Sequence, residues 1–87
     1  MNNQDFHKKF LAKIGEFAAF PIDTLGFEDK FFSTGLIDSV TIVAAIEFVE
    51  EYWNIRVDPI DFSIDNFDSV AAICAYVQKK RTKLLHQ

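Results

Sequence analysis

The chain has little of what many activities require. It holds one cysteine, Cys74, so neither an intrachain disulfide nor a multi-cysteine zinc site can form. Such sparing use fits a reducing, cytoplasmic setting, which is the expected location. The longest uninterrupted apolar stretch runs only from Val70 to Val77, far short of the ~20 residues that span a bilayer. The opening Met-Asn-Asn-Gln-Asp has no basic segment followed by an apolar run, so no signal peptide is expected. Three scattered glycines build no phosphate-cradling loop. Two histidines, His7 and His86, lie near opposite ends with no partner motif and read as solvated surface residues.

What is abundant is apolar and aromatic surface. With 49% hydrophobic and 15% aromatic residues, the 87-residue chain can bury a core, which argues against wholesale disorder. The length suits a single domain, with a folded core expected over residues 4–83 and a monomeric state. The formal charge of −4 hides an uneven distribution. Residues 1–19 carry three lysines against Asp5 and Glu16, a slight positive excess. Between residues 20 and 68, eleven acids face only Lys30 and Arg56. The final segment carries Lys79, Lys80, Arg81 and Lys83 with no acid. An acidic middle of this strength repels polyanions and steers basic partners. Cations near the C-terminus suit the last turn of a helix.

The apolar spacing predicts four helical segments. Over residues 4–19, Phe6, Phe10, Ile14 and Phe17 fall on one stripe, opposite Lys8, Lys9 and Glu16, and Pro21 is expected to end the helix. A long loop follows to Asp38, and its aromatics Phe27, Phe31 and Phe32 are expected to pack on the core. Residues 39–53 form a second helix, with Ile42, Ala45, Ile46, Val49 and Trp53 inward. Outside that stripe stand Val40, Val43 and Ala44 among Glu47, Glu50 and Glu51, a grouping that reads as a docking patch. Asp58-Pro59 opens a short turn, Ser63–Phe67 adds another, and Asp68-Ser69 starts a last helix to about Lys83. In that helix Val70, Ile73, Cys74, Val77 and Leu84 point inward. The expected fold is all-α, a small four-helix bundle of three longer helices and one short one.

No nucleophile, base and oxyanion site assemble in this pattern, so the chain is not expected to be an enzyme. Cys74 on an inward stripe behaves as a small hydrophobe. The three glutamates of the second helix read as solubilising charge and not as a cation site. One serine remains. The segment Asp29-Lys30-Phe31-Phe32-Ser33-Thr34-Gly35-Leu36-Ile37-Asp38-Ser39-Val40 resembles the phosphopantetheine attachment region of the acyl carrier protein family. There an Asp-x-Phe-Phe, a glycine, two hydrophobic residues and Asp-Ser-Leu deliver the modified serine. The resemblance extends through the second helix and the Asp58-Pro59 turn to the last helix. Asp68-Ser69-Val70 repeats the tripeptide but lacks the approach from Gly35, and reads as an ordinary helix cap.

The resemblance implies a non-catalytic carrier with 4′-phosphopantetheine attached to Ser39 by a phosphopantetheinyl transferase. Asp38 would help the transferase organise Mg²⁺. Cargo would be an acyl or aminoacyl group held as a thioester, loaded by an activating ligase and passed to a downstream synthase or transferase. Val40, Val43, Ala44, Glu47, Glu50 and Glu51 would form the partner face. Val40 replaces the usual leucine, and Thr41 and Ala44 stand where fatty-acid-synthesis carriers have acids. That pattern is closer to aminoacyl, peptidyl or specialised acyl carriers. The alternative is a carrier-like helical bundle that is never modified and serves only as a protein-interaction module.

Overall fold

The computed structural model describes residues 3–17 and 24–85, the last three by backbone only. Its helices are α1 (Asn3–Ile14), α2 (Ser39–Trp53), α3 (Ile64–Phe67) and α4 (Val70–Leu85). A 3₁₀ turn, Pro59–Asp61, lies between α2 and α3. Among the described residues there is no strand, and the fold is a small all-α bundle. Among them, too, no helix is long and apolar enough to cross a membrane.

Phenylalanine supplies much of the core. Phe6 of α1 meets Trp53 and Tyr52 of α2 with ring centroids 5.3 and 5.1 Å apart, and Phe10 meets Phe31 of the long loop at 5.8 Å. Burying each such ring is worth ~1.5–3 kcal/mol, which lets three rows of side chains hold a small domain. From the other side α4 contributes Val70, Ile73, Cys74 and Val77, all buried. Phe67 of α3 meets Tyr76 of α4 with ring centroids 5.3 Å apart and the planes tilted by 52°. Ile46, expected inward, is only half-buried, at the edge of this core.

Two helix ends explain how the long segments are cut. α1 stops at Ile14, five residues before the expected end, because Gly15 follows. The Gly15 amide still bonds the Leu11 carbonyl, but the Glu16 and Phe17 amides reach back only three residues, to Lys13 and Ile14. The tighter winding swings Phe17 off the apolar stripe and leaves it 49% exposed, against expectation. Pro21, expected to end the helix, lies outside the described residues. α2 ends at Asn54, which takes the left-handed conformation (φ 55°, ψ 51°) while its amide bonds the Glu50 carbonyl. Asparagine tolerates that conformation better than most side chains. The α4 backbone runs to Leu85, slightly past the expected limit, and the Leu84 side chain and all of His86 lie outside the described residues.

His7 is not a solvated residue. It is half-buried, its Nε2 lies 2.9 Å from the Leu25 carbonyl, and its ring meets Phe27 edge-on at 5.8 Å. The long loop explains this: Phe27, Phe31 and Phe32 do pack inward, and His7 faces the segment they hold down.

Candidate functional site around Ser39

The tripeptide Asp-Ser-Val begins a helix twice, and the two helices start one residue out of phase. In α2 the cap is the acid. The Asp38 carboxylate accepts the Thr41 amide at 2.8 Å, and its carbonyl accepts the Ile42 amide at 3.0 Å. Ser39 is therefore the first helical residue, exposed, and its hydroxyl has no hydrogen-bond partner among the described residues. In α4 the cap is the serine. Ser69 Oγ accepts the Ala72 amide at 3.0 Å, and the Ser69 carbonyl accepts the Ile73 amide at 3.0 Å. That leaves the Asp68 carboxylate free for something else.

Asp68 is buried, and it holds the long loop. Its carboxylate accepts the amides of Phe32 and Ser33 at 2.9 and 2.8 Å and the Ser33 hydroxyl at 2.6 Å. Its carbonyl accepts the Phe31 amide at 2.8 Å, and the Phe31 carbonyl in turn accepts the Ile37 amide at 3.0 Å. The expected cap of α4 by Asp68-Ser69 is made by Ser69 alone, and Asp68 serves the loop. Burial pushes the Asp68 carboxyl upward, but the bonds from Ser33 and Phe32 outweigh it and hold the group below the usual carboxylate range. No local pattern distinguishes Asp68 from a cap, because its partners are 35 and 36 residues away. Between Phe31 and Ile37 the chain turns through Gly35, whose φ of +78° favours glycine and whose Cβ position is open.

Asp38 is exposed, and its carboxyl lies below the usual range because the Thr41 amide, and then the Thr41 hydroxyl, favour the anion. Along α2 from Ser39, Val40 and Val43 are 69% and 54% exposed, Glu47 and Glu51 are exposed, and Ala44 is half-buried. Glu50 is also half-buried, and its carboxylate accepts the Val57 amide at 2.8 Å, so it secures the chain that leaves α2. Thr41 is buried at the base of the first turn.

Across from this face the 3₁₀ turn adds apolar surface that helix periodicity in α2 does not reveal. Val43, Ile46 and Glu47 line an open groove of about 430 Å³ with Val57, Asp58, Pro59 and Phe62. Ile60 at the turn's tip is 90% exposed. The turn is moored to α4, where Lys80 Nζ lies 2.7 Å from Asp58 and 3.9 Å from Asp61, and the Tyr76 hydroxyl donates to Asp61 at 2.9 Å. Both exposed hydrophobics in a turn, Ile60 and Phe62, are a signal that the sequence does carry.

Cys74 is far from reactive. It is buried, and burial pushes its thiol up to about 11. Among the described residues no three metal-ligating side chains come together. Comparison with known proteins finds no family model and no curated protein that matches the chain.

Proposed function

We propose that the protein is a carrier in which Ser39 takes 4′-phosphopantetheine, and that it presents acyl or aminoacyl cargo to successive enzymes. The observation that carries this reading is the exposed, unpartnered Ser39 hydroxyl at the start of a helix that Asp38 already caps. A serine that capped the helix would have its oxygen engaged and partly shielded, as Ser69 does. The surroundings fit an attached arm: Ser39, Val40 and Gly35 are all exposed, and space opens at Gly35. When bound, the group supplies a terminal thiol that holds cargo as a thioester, a reactivity that buried Cys74 lacks.

The chain's own residues have plain tasks in this scheme. Ser39 Oγ provides the attachment oxygen. The first-turn amides and the helix dipole favour a phosphodiester anion there by ~0.3–1 kcal/mol. Asp38, exposed and held below the usual carboxylate range, directly precedes the serine and would be met by a phosphopantetheinyl transferase and its Mg²⁺. Glu47 and Glu51 steer basic surfaces of the transferase, the activating ligase and the downstream synthase, and Val40, Val43 and Phe62 give them apolar contact.

An unmodified helical interaction module would use the same exposed valines, and one measurement separates the two readings. Co-expression with a broad-specificity transferase, followed by intact-mass analysis, is expected to show the phosphopantetheine increment. Ser39→Ala abolishes it and Ser69→Ala keeps it. An unmodified wild type beside a modified control carrier refutes the carrier reading and leaves the module.

A further inference from the structure

The second Asp-Ser-Val has a task that neither capping nor the proposed attachment uses. We propose that Asp68 is a positioning residue for Ser39: it holds the loop from Phe31 to Asp38, and through it the first turn of α2, in the arrangement that a modifying enzyme recognises. This rests on the carrier reading of Ser39.

The argument is a chain of bonds. Asp68 fastens the loop at Phe31, Phe32 and Ser33 through four hydrogen bonds, three to its carboxylate and one to its carbonyl. The Phe31 carbonyl then fastens Ile37, the residue before the α2 cap. Phe31 and Ile37 are both buried, so the side chains lock the two points that the backbone bonds join. Between them, Ser33, Thr34 and Gly35 are exposed and can be touched by a partner. The loop's own amides have few other anchors in this stretch, apart from the Gly35 amide on Phe32 and the Thr34 hydroxyl on Lys30. Removing the Asp68 carboxylate therefore releases Phe32 and Ser33 together and loosens the tie to Ile37.

The consequence is a population effect. If the bound-competent loop is only a fraction of the ensemble, the apparent affinity of any partner that reads it falls by that fraction. Asp68→Ala is expected to raise the transferase KM for the carrier by on the order of 10-fold while kcat at saturation stays near wild type. A general loss of fold would instead lower helix content and speed exchange everywhere.

The experiment joins amide hydrogen exchange by NMR with transferase kinetics read by mass. In Asp68→Ala, which removes the acceptor oxygens that asparagine would keep, exchange is expected to accelerate at Phe31, Phe32, Ser33 and Ile37 but not at Ile42, Ala45 and Val49 of α2, with the rise in KM. Ser33→Ala, at an exposed position, is the milder variant should Asp68→Ala fail to fold. It loses only the hydroxyl bond and is expected to speed exchange at Phe32 and Ser33. Unchanged exchange in both variants overturns the clamp. Faster loop exchange with unchanged KM overturns the positioning role. A wild type that a competent transferase never modifies overturns the carrier reading and this role with it, while exchange still reports whether the clamp exists.

Discussion

Replacing Ser69 and Ser39 by alanine, one at a time, separates a capping serine from a free one. Ser69 Oγ accepts the Ala72 amide at 3.0 Å and is 8% exposed, so its loss strands a donor that water reaches poorly. Loss of such a cap costs ~0.5–2 kcal/mol, centred on ~1. In a domain of this size 1 kcal/mol moves the thermal midpoint by roughly 4–8 °C. Ser39 makes no bond to lose, and alanine suits a first-turn position, so Ser39→Ala should change stability by less than ~0.5 kcal/mol. Thermal and urea melts followed by circular dichroism read both values, and the urea slope should not change, since neither variant alters the surface exposed on unfolding. Equal destabilisation by the two changes, or none from Ser69→Ala, would mean that the one-residue offset between the helix starts is wrong. The hydroxyl assigned to attachment would then be a structural one.

Three further outcomes follow from the packing. Trp53→Ala removes a ring that touches Phe6, Tyr52 and the Arg81 guanidinium and should cost ~3–5 kcal/mol by urea unfolding; a loss under ~1 kcal/mol would show the ring is not a core element. Val43→Asp, at a position 54% exposed, should leave stability within about 0.5 kcal/mol of wild type yet weaken turnover with partner enzymes; unfolding would instead place Val43 in the core. Asp5, Asp38 and Asp68 all titrate below the usual carboxylate range, Asp5 chiefly through the Tyr52 phenol. Because their folded values are depressed, the stability they add is present above pH ~4 and lost as pH falls through those values. The urea midpoint should fall on acidification below about pH 4, less steeply in Asp68→Asn, and a flat profile would contradict the clamp.

Much of the fold was legible because its signals are local. The spacing of Phe6, Phe10 and Ile14, and of Ile42, Ala45, Val49 and Trp53, announces two amphipathic helices, and those side chains are buried. The short turns after Asp58 and Ser63 follow from proline and serine at helix starts. The same periodicity overreached at Phe17, because it weighs side-chain spacing and ignores the backbone freedom of Gly15. His7 was misplaced because nothing within its own turn of helix indicates that Leu25 and Phe27 cover it.

By itself the sequence determined the all-α class, the inward face of each long helix, and Ser39 as the serine to watch within an acidic stretch. The first two depend on neighbours three or four residues apart, whose relation a helix makes predictable, whereas Ser39 stood out through the resemblance carried by residues 29–40. Only the tertiary structure decided what two identical tripeptides do. In one, the acid caps and the serine is free; in the other, the serine caps and the acid clamps a loop 35 residues away. The difference is a one-residue shift in where each helix begins, and the partner that makes it matter arrives only when α4 packs against the loop.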